Sequence, residues 1–351
     1  MDNGLSTMNF NIDKIIRPNI KAVKPYSSAR DEFEGDASVF LDANENPYDN
    51  NLNRYPDPHQ KKLKERIASI KNTDEQRIFF GNGSDEAIDL LFRAFCEPSV
   101  DEILITQPTY GMYAVSASIN NVKINSVNLT SDFNLDVDAT LKAITSKTKI
   151  IFLCSPNNPS GNLLKHESII HIIENFNGIV VIDEAYIDFT SSPSFIAKLN
   201  DYKNLVVLQT LSKAWGLAGL RLGMCFANKE IIDVLNKIKP PYNISSVAQS
   251  LALEKLSAIE LKEKQVNEII AERKAMEERL LQVNSVTKIF PSDANFILIR
   301  IKNANRVYND LLQKGIVVRN RSTVILCDDC LRITVGTPEE NQKLIDALKT
   351  L

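Results

Sequence analysis

The middle of the sequence alternates short apolar runs with longer amphipathic segments, and this alternation restricts the fold more than any other feature. The short runs are rich in β-branched residues and apolar over most of their length, which is typical of strands covered on both faces. The alternation predicts a mostly parallel sheet between helices, an α/β fold with three layers. The predicted strands are 103–106, 149–154, 178–183, 205–210 and 223–227.

A smaller second domain is predicted towards the C-terminus. Strand-like runs at 295–301, 315–319 and 331–335 are separated by helical segments, a pattern typical of a small α+β domain. A long charged segment, 253–282, precedes them and is predicted to be a single helix. We predict three parts, with the first packed on the last. They are the N-terminal segment 1–40, the large domain 41–284 and the small domain 285–351.

Charge and composition exclude several classes of protein. With 41 Lys and Arg against 44 Asp and Glu, the net charge of −3 gives no general attraction to nucleic acid or to an anionic membrane. No apolar run approaches the roughly 20 residues that a bilayer requires, and residues 1–10 lack the features of a signal peptide. Five cysteines do not indicate a disulfide framework, which favours a cytoplasmic protein. The histidines are scattered and the CxxC at 327–330 has no second ligand pair, so no metal is predicted.

A lysine follows one of the predicted buried strands. The segment LVVLQTLSKAWGLAGLRLG (205–223) runs from that strand into a polar turn that carries Thr210, Ser212 and Lys213, with Arg221 further on. Partial desolvation by apolar neighbours favours the neutral, nucleophilic form of a lysine amine. A serine hydroxyl and an arginine are suited to hold a phosphate beside it. Taken alone, the segment is equally well explained as an ordinary surface loop.

A second segment, GIVVIDEAYIDF (178–189), places Asp183 at the carboxyl end of another central strand and Tyr186 three residues later. Ligands of open α/β sheets bind at that edge. A carboxylate there can hold a proton on a heteroaromatic nitrogen, and a phenol can donate to a ring oxygen. A simple helix cap is the alternative interpretation of Asp183.

Two further segments supply polar groups near strand ends. CSPNNPSG (154–161) predicts a rigid turn with side-chain amides, and a cis bond before Pro159 is compatible with it. GNGSDE (81–86) is a glycine-rich entry to a predicted helix over 84–95, with Ser84 as its cap. The free N–H groups at such a helix start can receive a phosphate, although the same letters also suit a plain loop.

Together these segments offer an amine nucleophile, an acid for a pyridine nitrogen, donors for a phenolic oxygen and a phosphate cradle. That set fits pyridoxal phosphate better than any other common cofactor. The sequence resembles the fold-type I pyridoxal-phosphate-dependent aminotransferases, and within them the group of histidinol-phosphate aminotransferases. The segments that carry the resemblance are KPYSSAR (24–30), LDANENP (41–47), RYPDP (54–58), GNGSDEAIDLLFRAFCEP (81–98), PTYGMY (108–113), CSPNNPSGN (154–162), DEAYIDF (183–189), TLSKAWGLAGLRLG (210–223) and LRITVGTPEEN (331–341).

The resemblance implies a role for each residue around the cofactor ring. Lys213 would bond covalently to the cofactor and then move a proton of the substrate. Asp183 would keep the ring nitrogen protonated, and Tyr186 and Asn158 would hydrogen-bond the phenolic oxygen. Tyr110 would stack on the ring face.

The resemblance also implies the residues at the two anionic ends. Those at the cofactor phosphate are Ser84, Asp85, Thr210, Ser212 and Arg221, with Tyr55 contributed by the other subunit of a homodimer. Those at the substrate are Tyr26, Asn158, Arg319, Arg332 and Tyr242. One departure from the family pattern lies in this region, because Asn320 and Arg321 follow Arg319 where an acid is common.

The implied reaction is transfer of the amino group of glutamate to imidazole-acetol phosphate, giving L-histidinol phosphate and 2-oxoglutarate. It would follow a ping-pong cycle in histidine biosynthesis, with small molecules as the other partners. The alternatives of the same fold are a threonine-phosphate decarboxylase and an aromatic amino-acid aminotransferase. A transcription regulator with an aminotransferase-like domain would need a DNA-binding module, which the sequence does not indicate.

Overall fold

The computed structural model describes residues 10–26 and 38–351, and within them the chain forms two sheets. The strands of the larger sheet are β1 (Ile78–Asn82), β2 (Glu102–Gln107), β3 (Lys123–Asn128), β4 (Thr148–Cys154), β5 (Ile179–Asp183), β6 (Leu205–Thr210) and β7 (Leu222–Ala227). The strands of the smaller sheet are β8 (Val286–Ile289), β9 (Phe296–Ile301), β10 (Arg319–Asn320) and β11 (Cys330–Thr334).

The α-helices surround both sheets. In chain order they are α1 (Pro18–Ala22), α2 (Lys61–Lys71), α3 (Ser84–Phe95), α4 (Met112–Ile119), α5 (Val137–Lys142), α6 (His166–Glu174), α7 (Lys229–Ile238), α8 (Ser246–Leu256), α9 (Ile259–Leu280), α10 (Ala304–Gln313) and α11 (Pro338–Lys349). Among the described residues, no helix is both long and apolar enough to cross a membrane.

The larger sheet has the order β1-β7-β6-β5-β4-β2-β3, and β7 alone in it runs antiparallel to its neighbours. Alternate residues of its central strands enter two separate apolar cores. In β5, Val180 and Ile182 pack into one core, whereas Ile179 and Val181 pack into the other. Two covered faces explain why the strand sequences are apolar throughout. The prediction of an α/β fold with a mostly parallel sheet is confirmed.

Helix α3 spans the predicted residues 84–95 and buries Ile88, Leu91 and Phe92 against the sheet. The predicted cap was wrong by one position. Gly83 occupies the N-cap with φ +73°, so Ser84 is the first helical residue and its side chain makes no capping bond. The N–H groups of the first helical turn are therefore directed outwards from the helix start.

The segment predicted as one helix over 253–282 consists of two. Helix α8 ends at Leu256, whose carbonyl accepts a hydrogen bond from the Arg66 guanidinium at 2.8 Å. Ser257 turns its hydroxyl back to the carbonyl of Glu254 at 2.6 Å. The carbonyls at this end of the helix are satisfied by side chains, and the chain starts a new helix at Ile259.

The described part of the N-terminal segment packs on the large domain, and not on the small domain as predicted. Apolar side chains of residues 10–20 lie against the core that contains α3. Arg17 donates its backbone N–H to the carbonyl of Ala94 at 3.0 Å and its guanidinium to Glu97 at 3.0 Å. These contacts fix the segment beside the end of α3. Residues 1–9 and 27–37 lie outside the described residues.

The smaller sheet is antiparallel throughout, in the order β10-β11-β9-β8. The run predicted as a strand over 315–319 pairs only at its end, because Ile316 and Val318 reach the small-sheet core from an unpaired connection. Helix α9 contributes Met276 to that core and Val266 to a cluster that contains Tyr186. Because α9 packs on both the smaller sheet and the cluster around Tyr186, the domain division at residue 285 stays a prediction.

Candidate active site

The carboxyl ends of β4, β5 and β6 meet the N-terminus of α3 at one edge of the larger sheet. Cys154 at the end of β4 is in register with Asp183 at the end of β5. Parallel neighbours bring their ends to the same edge, and a cleft of about 650 Å³, including space open to solvent, lies there. The residues that line it are Gly83, Ser84, Asp85, Tyr110, Cys154, Asn158, Asp183, Ala185, Tyr186, Thr210, Ser212, Lys213, Ala218 and Arg221. This set includes every predicted cofactor residue except Tyr55.

Lys213 lies in the turn after β6, with its amine 5.7 Å from the ring centroid of Tyr186. The side chain is exposed to the open cleft. Partial desolvation by the cleft walls, followed by repulsion from Arg332, lowers the pKa of this amine, while Asp183 opposes the shift. The geometry therefore favours the neutral amine that a nucleophile requires.

Asp183 is 3% exposed and forms the closed end of the cleft. Its Oδ2 accepts the phenol of Tyr113 at 2.6 Å, and its Oδ1 accepts the backbone N–H of Ala185 at 3.1 Å. Burial raises the pKa of the Asp183 carboxyl, and these two hydrogen bonds oppose the change. The carboxylate is held by neutral donors and retains free lone pairs towards the cleft.

Tyr113 was missed in the sequence analysis, although its segment PTYGMY was recognised. Tyr110 and Tyr113 are three residues apart, a spacing that puts both on one side of a helical turn. Their rings meet edge to face with centroids 5.6 Å apart, and Tyr110 donates its phenol to Asp85 at 3.1 Å. The spacing was the signal that should have drawn attention to the second tyrosine.

The other end of the cleft is a set of hydrogen-bond donors around the start of α3. Neither Gly83 nor Gly223 could carry a side chain without a clash. A Cβ at Gly83 would lie 2.7 Å from the Arg221 guanidinium, and one at Gly223 would lie 2.1 Å from the backbone nitrogen of Ser84. Among the described residues, the one ion pair of the Arg221 guanidinium is with Asp85 at 3.8 Å. Helix N–H groups, hydroxyls and an arginine in this arrangement form a cradle for a phosphate.

Arginines of the smaller sheet lie near this cleft, and Arg332 influences the pKa of Lys213. Arg319 on β10 pairs in register with Arg332 on β11, and Arg332 donates to the side-chain oxygen of Asn158. Burial, followed by repulsion from Arg332 and Arg319, lowers the pKa of Arg321 to about 10. The Nε atoms of Arg321 and Arg332 are buried without a hydrogen-bond partner in the described part of the chain. Two guanidinium groups with unused buried donors, next to Arg319, point to an anionic ligand.

The structure does not bring every predicted residue to the cleft. Tyr55 stacks on Tyr242 with ring centroids 4.5 Å apart, and neither lines the cleft. Tyr26 is 69% exposed, and residues 27–30 of its segment lie outside the described ranges. No group of three potential metal-binding side chains occurs among the described residues.

Comparison with known proteins identifies the family of this chain. The sequence pattern of the family described as aminotransferase class I and II matches residues 36–348. A histidinol-phosphate aminotransferase of Parabacteroides distasonis is 57% identical over 96% of this chain and 98% of its own length.

Solved structures also superpose on this chain, at lower sequence identity. The histidinol-phosphate aminotransferase from Clostridium acetobutylicum superposes with a TM-score of 0.79 at 28% identity, covering 86% of this chain and 91% of that one. The L-threonine-O-3-phosphate decarboxylase from Porphyromonas gingivalis superposes with a TM-score of 0.73 at 25% identity, covering 85% and 90%. The chain belongs to the class I and II aminotransferases, in the group of relatives named histidinol-phosphate aminotransferase.

Proposed function

We propose that this protein is a pyridoxal-phosphate-dependent histidinol-phosphate aminotransferase. It transfers the amino group of glutamate to imidazole-acetol phosphate and produces L-histidinol phosphate and 2-oxoglutarate, a step of histidine biosynthesis. The observation that carries the proposal is that the Lys213 amine shares one cleft with the buried Asp183 carboxylate and lies 5.7 Å from the ring centroid of Tyr186. The identity of 57% with a relative of that name supports the choice of substrate.

The cleft fits pyridoxal phosphate by the chemistry of its donors. Asp183 is a buried carboxylate with lone pairs left for a protonated ring nitrogen. At the other end, the absence of a side chain at Gly83 and Gly223 lets the Arg221 guanidinium and strand β7 lie close to the backbone N–H groups at the start of α3. When bound, the cofactor supplies an electron-withdrawing ring that stabilises negative charge at the substrate Cα.

The residues of this chain then have distinct tasks. Ser84 and Asp85, through their backbone N–H groups, hold the phosphate together with Thr210, Ser212 and Arg221. Asn158 and Tyr186 donate to the phenolic oxygen, and Tyr110 covers the ring. Lys213 would hold the cofactor through its amine and, once the substrate amine had displaced it, would accept and return the proton of the substrate Cα.

The arginines select the substrates. Arg319 and Arg332 bind the phosphate of histidinol phosphate in one half of the cycle and the side-chain carboxylate of glutamate in the other, because a guanidinium fork fits both anions. Tyr26 and Tyr242 assist them. Arg321 adds a third positive charge beside this pair. A dianionic phosphate offsets such a charge cluster better than one carboxylate does.

The rival function is the decarboxylation of threonine phosphate, which uses the same fold and a phosphorylated amino substrate. A decarboxylase of that kind superposes on this chain at 25% identity. The aminotransferase is favoured because the relative of that name is identical at 57% of positions over almost the entire chain. An aromatic amino acid is the less favoured substrate, because it has no phosphate for the arginine cluster to bind.

We also propose a homodimer with shared active sites. The segment 38–60 contains no helix or strand and exposes Leu41, Tyr48 and Leu52, at 89%, 81% and 63% of their surfaces. Tyr55 belongs to this segment and serves the cleft of the partner. All five cysteines are free thiols, which suits an enzyme of the reducing cytoplasm.

Mixed dimers test the shared site. Lys213→Ala and Tyr55→Ala subunits are each combined with themselves and with each other. Recovery of activity only in the mixed dimers is expected, since one of their two sites then has both residues intact. Mixed dimers as inactive as their parents would show that Tyr55 acts on its own subunit or not at all.

The visible spectrum of the cofactor-loaded enzyme tests the reaction. L-Histidinol phosphate is added without a keto acid, and the visible absorbance band is expected to disappear and to return with 2-oxoglutarate. Threonine phosphate is the control, with carbon dioxide measured in parallel. A band unchanged by histidinol phosphate, together with carbon dioxide release from threonine phosphate, would establish the decarboxylase instead.

A further inference from the structure

We propose that Tyr113 is a positioning residue for the reaction, which holds the Asp183 carboxylate in one orientation and keeps it charged for the cofactor ring nitrogen. The inference rests on the proposed function, because Asp183 needs the pyridine ring as its partner. It adds a residue that touches neither substrate nor cofactor and that acts only through Asp183.

Each oxygen of the Asp183 carboxylate accepts one hydrogen bond. Tyr113 donates to Oδ2 at 2.6 Å, and the backbone N–H of Ala185 donates to Oδ1 at 3.1 Å. Rotation of the carboxylate would break both bonds. Each oxygen accepts a second hydrogen bond without losing the first, so a lone pair remains for a protonated ring nitrogen.

The phenol itself is fixed by packing. The Tyr113 side chain is fully buried, and its ring stacks on Phe152 of β4 at a centroid distance of 4.7 Å. Tyr110 meets it edge to face, so two aromatic contacts set the direction of the hydroxyl. A donor held in this way needs no rearrangement when the cofactor binds.

Tyr113 also influences the pKa of the Asp183 carboxyl. Burial raises the pKa of the Asp183 carboxyl, and the hydrogen bond from Tyr113 is the largest influence that lowers it again. Burial and the neighbouring Asp183 raise the pKa of Tyr113 well above its usual range, so it stays a donor. Tyr113 thus offsets the desolvation of the carboxylate.

Other ionisable groups also face Asp183, and none of them replaces this bond. Lys213 attracts the charged form and Asp85 repels it. Cys154, Tyr110 and Tyr186 are influenced by the Asp183 charge. Within the described ranges, Tyr113 is the side chain that donates a hydrogen bond to this carboxylate.

The test is Tyr113→Phe, which keeps the stacked ring and removes only the phenol oxygen. Tyr202→Phe is the matched control, because Tyr202 also donates to a carboxylate, Glu174 at 2.9 Å, but it precedes β6 at the opposite edge of the sheet. The full-length proteins are titrated with pyridoxal phosphate over a range of pH. The fluorescence of Trp215, the single tryptophan and two residues from Lys213, reports binding without turnover.

The expected result has two parts. Cofactor affinity falls roughly 10- to 100-fold in Tyr113→Phe, the range for losing a hydrogen bond to a charged group. In a plot of pyridoxal phosphate affinity against pH, the acidic limb also moves to higher pH, because Asp183 without Tyr113 protonates more readily. The control changes neither quantity. Unchanged affinity and an unmoved acidic limb in Tyr113→Phe would overturn the inference.

A double-variant cycle separates positioning from general stability. In an Asp183→Asn background the carboxylate charge is absent, so adding Tyr113→Phe is expected to change affinity by no more than about twofold. A full additional loss in that background would assign Tyr113 a structural role and overturn the inference. If the unmodified protein fails to bind pyridoxal phosphate, the proposed function fails first.

Discussion

Asp183 on β5 and Arg332 on β11 both shift the pKa of Lys213, yet their surroundings differ. Asp183 is buried at a strand end of the larger sheet and accepts a hydrogen bond at each oxygen. Arg332 is half-buried on β11, between β10 and β9 of the smaller sheet, and its Nε has no partner within the described residues. The Asp183 carboxylate is held in place by hydrogen bonds even without a ligand, whereas the Arg332 guanidinium has an unused donor.

This difference matches what each region has to bind. A cofactor that stays in place favours fixed, fully hydrogen-bonded groups, because rigid groups need no rearrangement during the reaction. In the proposed function, two substrates with different anionic ends share the arginine region. Unused guanidinium donors on a hairpin allow it to accept either a phosphate or a carboxylate.

The largest effect is expected at the point where the two regions meet. Lys213→Ala removes both the covalent attachment and the group that moves the Cα proton, so turnover should fall by at least about 10⁴-fold. Stopped-flow absorbance with L-histidinol phosphate measures it. Transamination at a rate near that of the unmodified enzyme would contradict the assignment of Lys213.

The fixed region is tested by Asp183→Asn. The amide cannot keep the ring nitrogen protonated, and we expect kcat to fall by about 10²- to 10³-fold, the size typical of losing one preorganised electrostatic contact. Circular dichroism should show an unchanged fold, since Asn fills the same space. A rate close to normal would mean that ring protonation does not depend on this residue.

The adaptable region is tested by Arg332→Gln. Loss of a charge-assisted contact should reduce kcat/KM by roughly 10- to 100-fold for both substrates. Removing this positive neighbour also raises the pKa of Lys213, so the midpoint for cofactor attachment against pH should move to higher pH. Steady-state kinetics and reconstitution rates measure the two effects. An unmoved midpoint would show that Arg332 does not influence the pKa of Lys213.

The smallest effect is expected for Arg321→Gln, which sharpens the comparison within the arginine cluster. The substitution should raise KM for histidinol phosphate by about 3- to 10-fold and leave KM for glutamate almost unchanged, because the extra charge favours the dianion. Lys288→Gln, which removes a cation over Phe290 in the same domain, is the control. Equal changes for both substrates would deny Arg321 a role in selecting phosphate.

Much of the site was predictable because its residues follow strands. Asp183, Thr210 and Lys213 come directly after buried runs of the sequence, and parallel strands collect their ends at one edge. Strand β3, Lys123–Asn128, was missed because it is an edge strand with polar side chains, which weakens the apolar signal. The break after α8 was missed because the carbonyl partner of its last turn, Arg66, is remote in sequence.

The sequence by itself determined the fold class and most of the residues that line the cleft, since these depend on local periodicity and on residue types at strand ends. Only the tertiary structure decided which distant groups become partners. Tyr113 reaches Asp183 across 70 positions because the sheet order places β4 between β2 and β5. The described part of the N-terminal segment packs on the large domain because its apolar side chains fit the core beside α3. Periodicity reports how deeply a residue is buried, whereas the order of the strands determines what it is buried against.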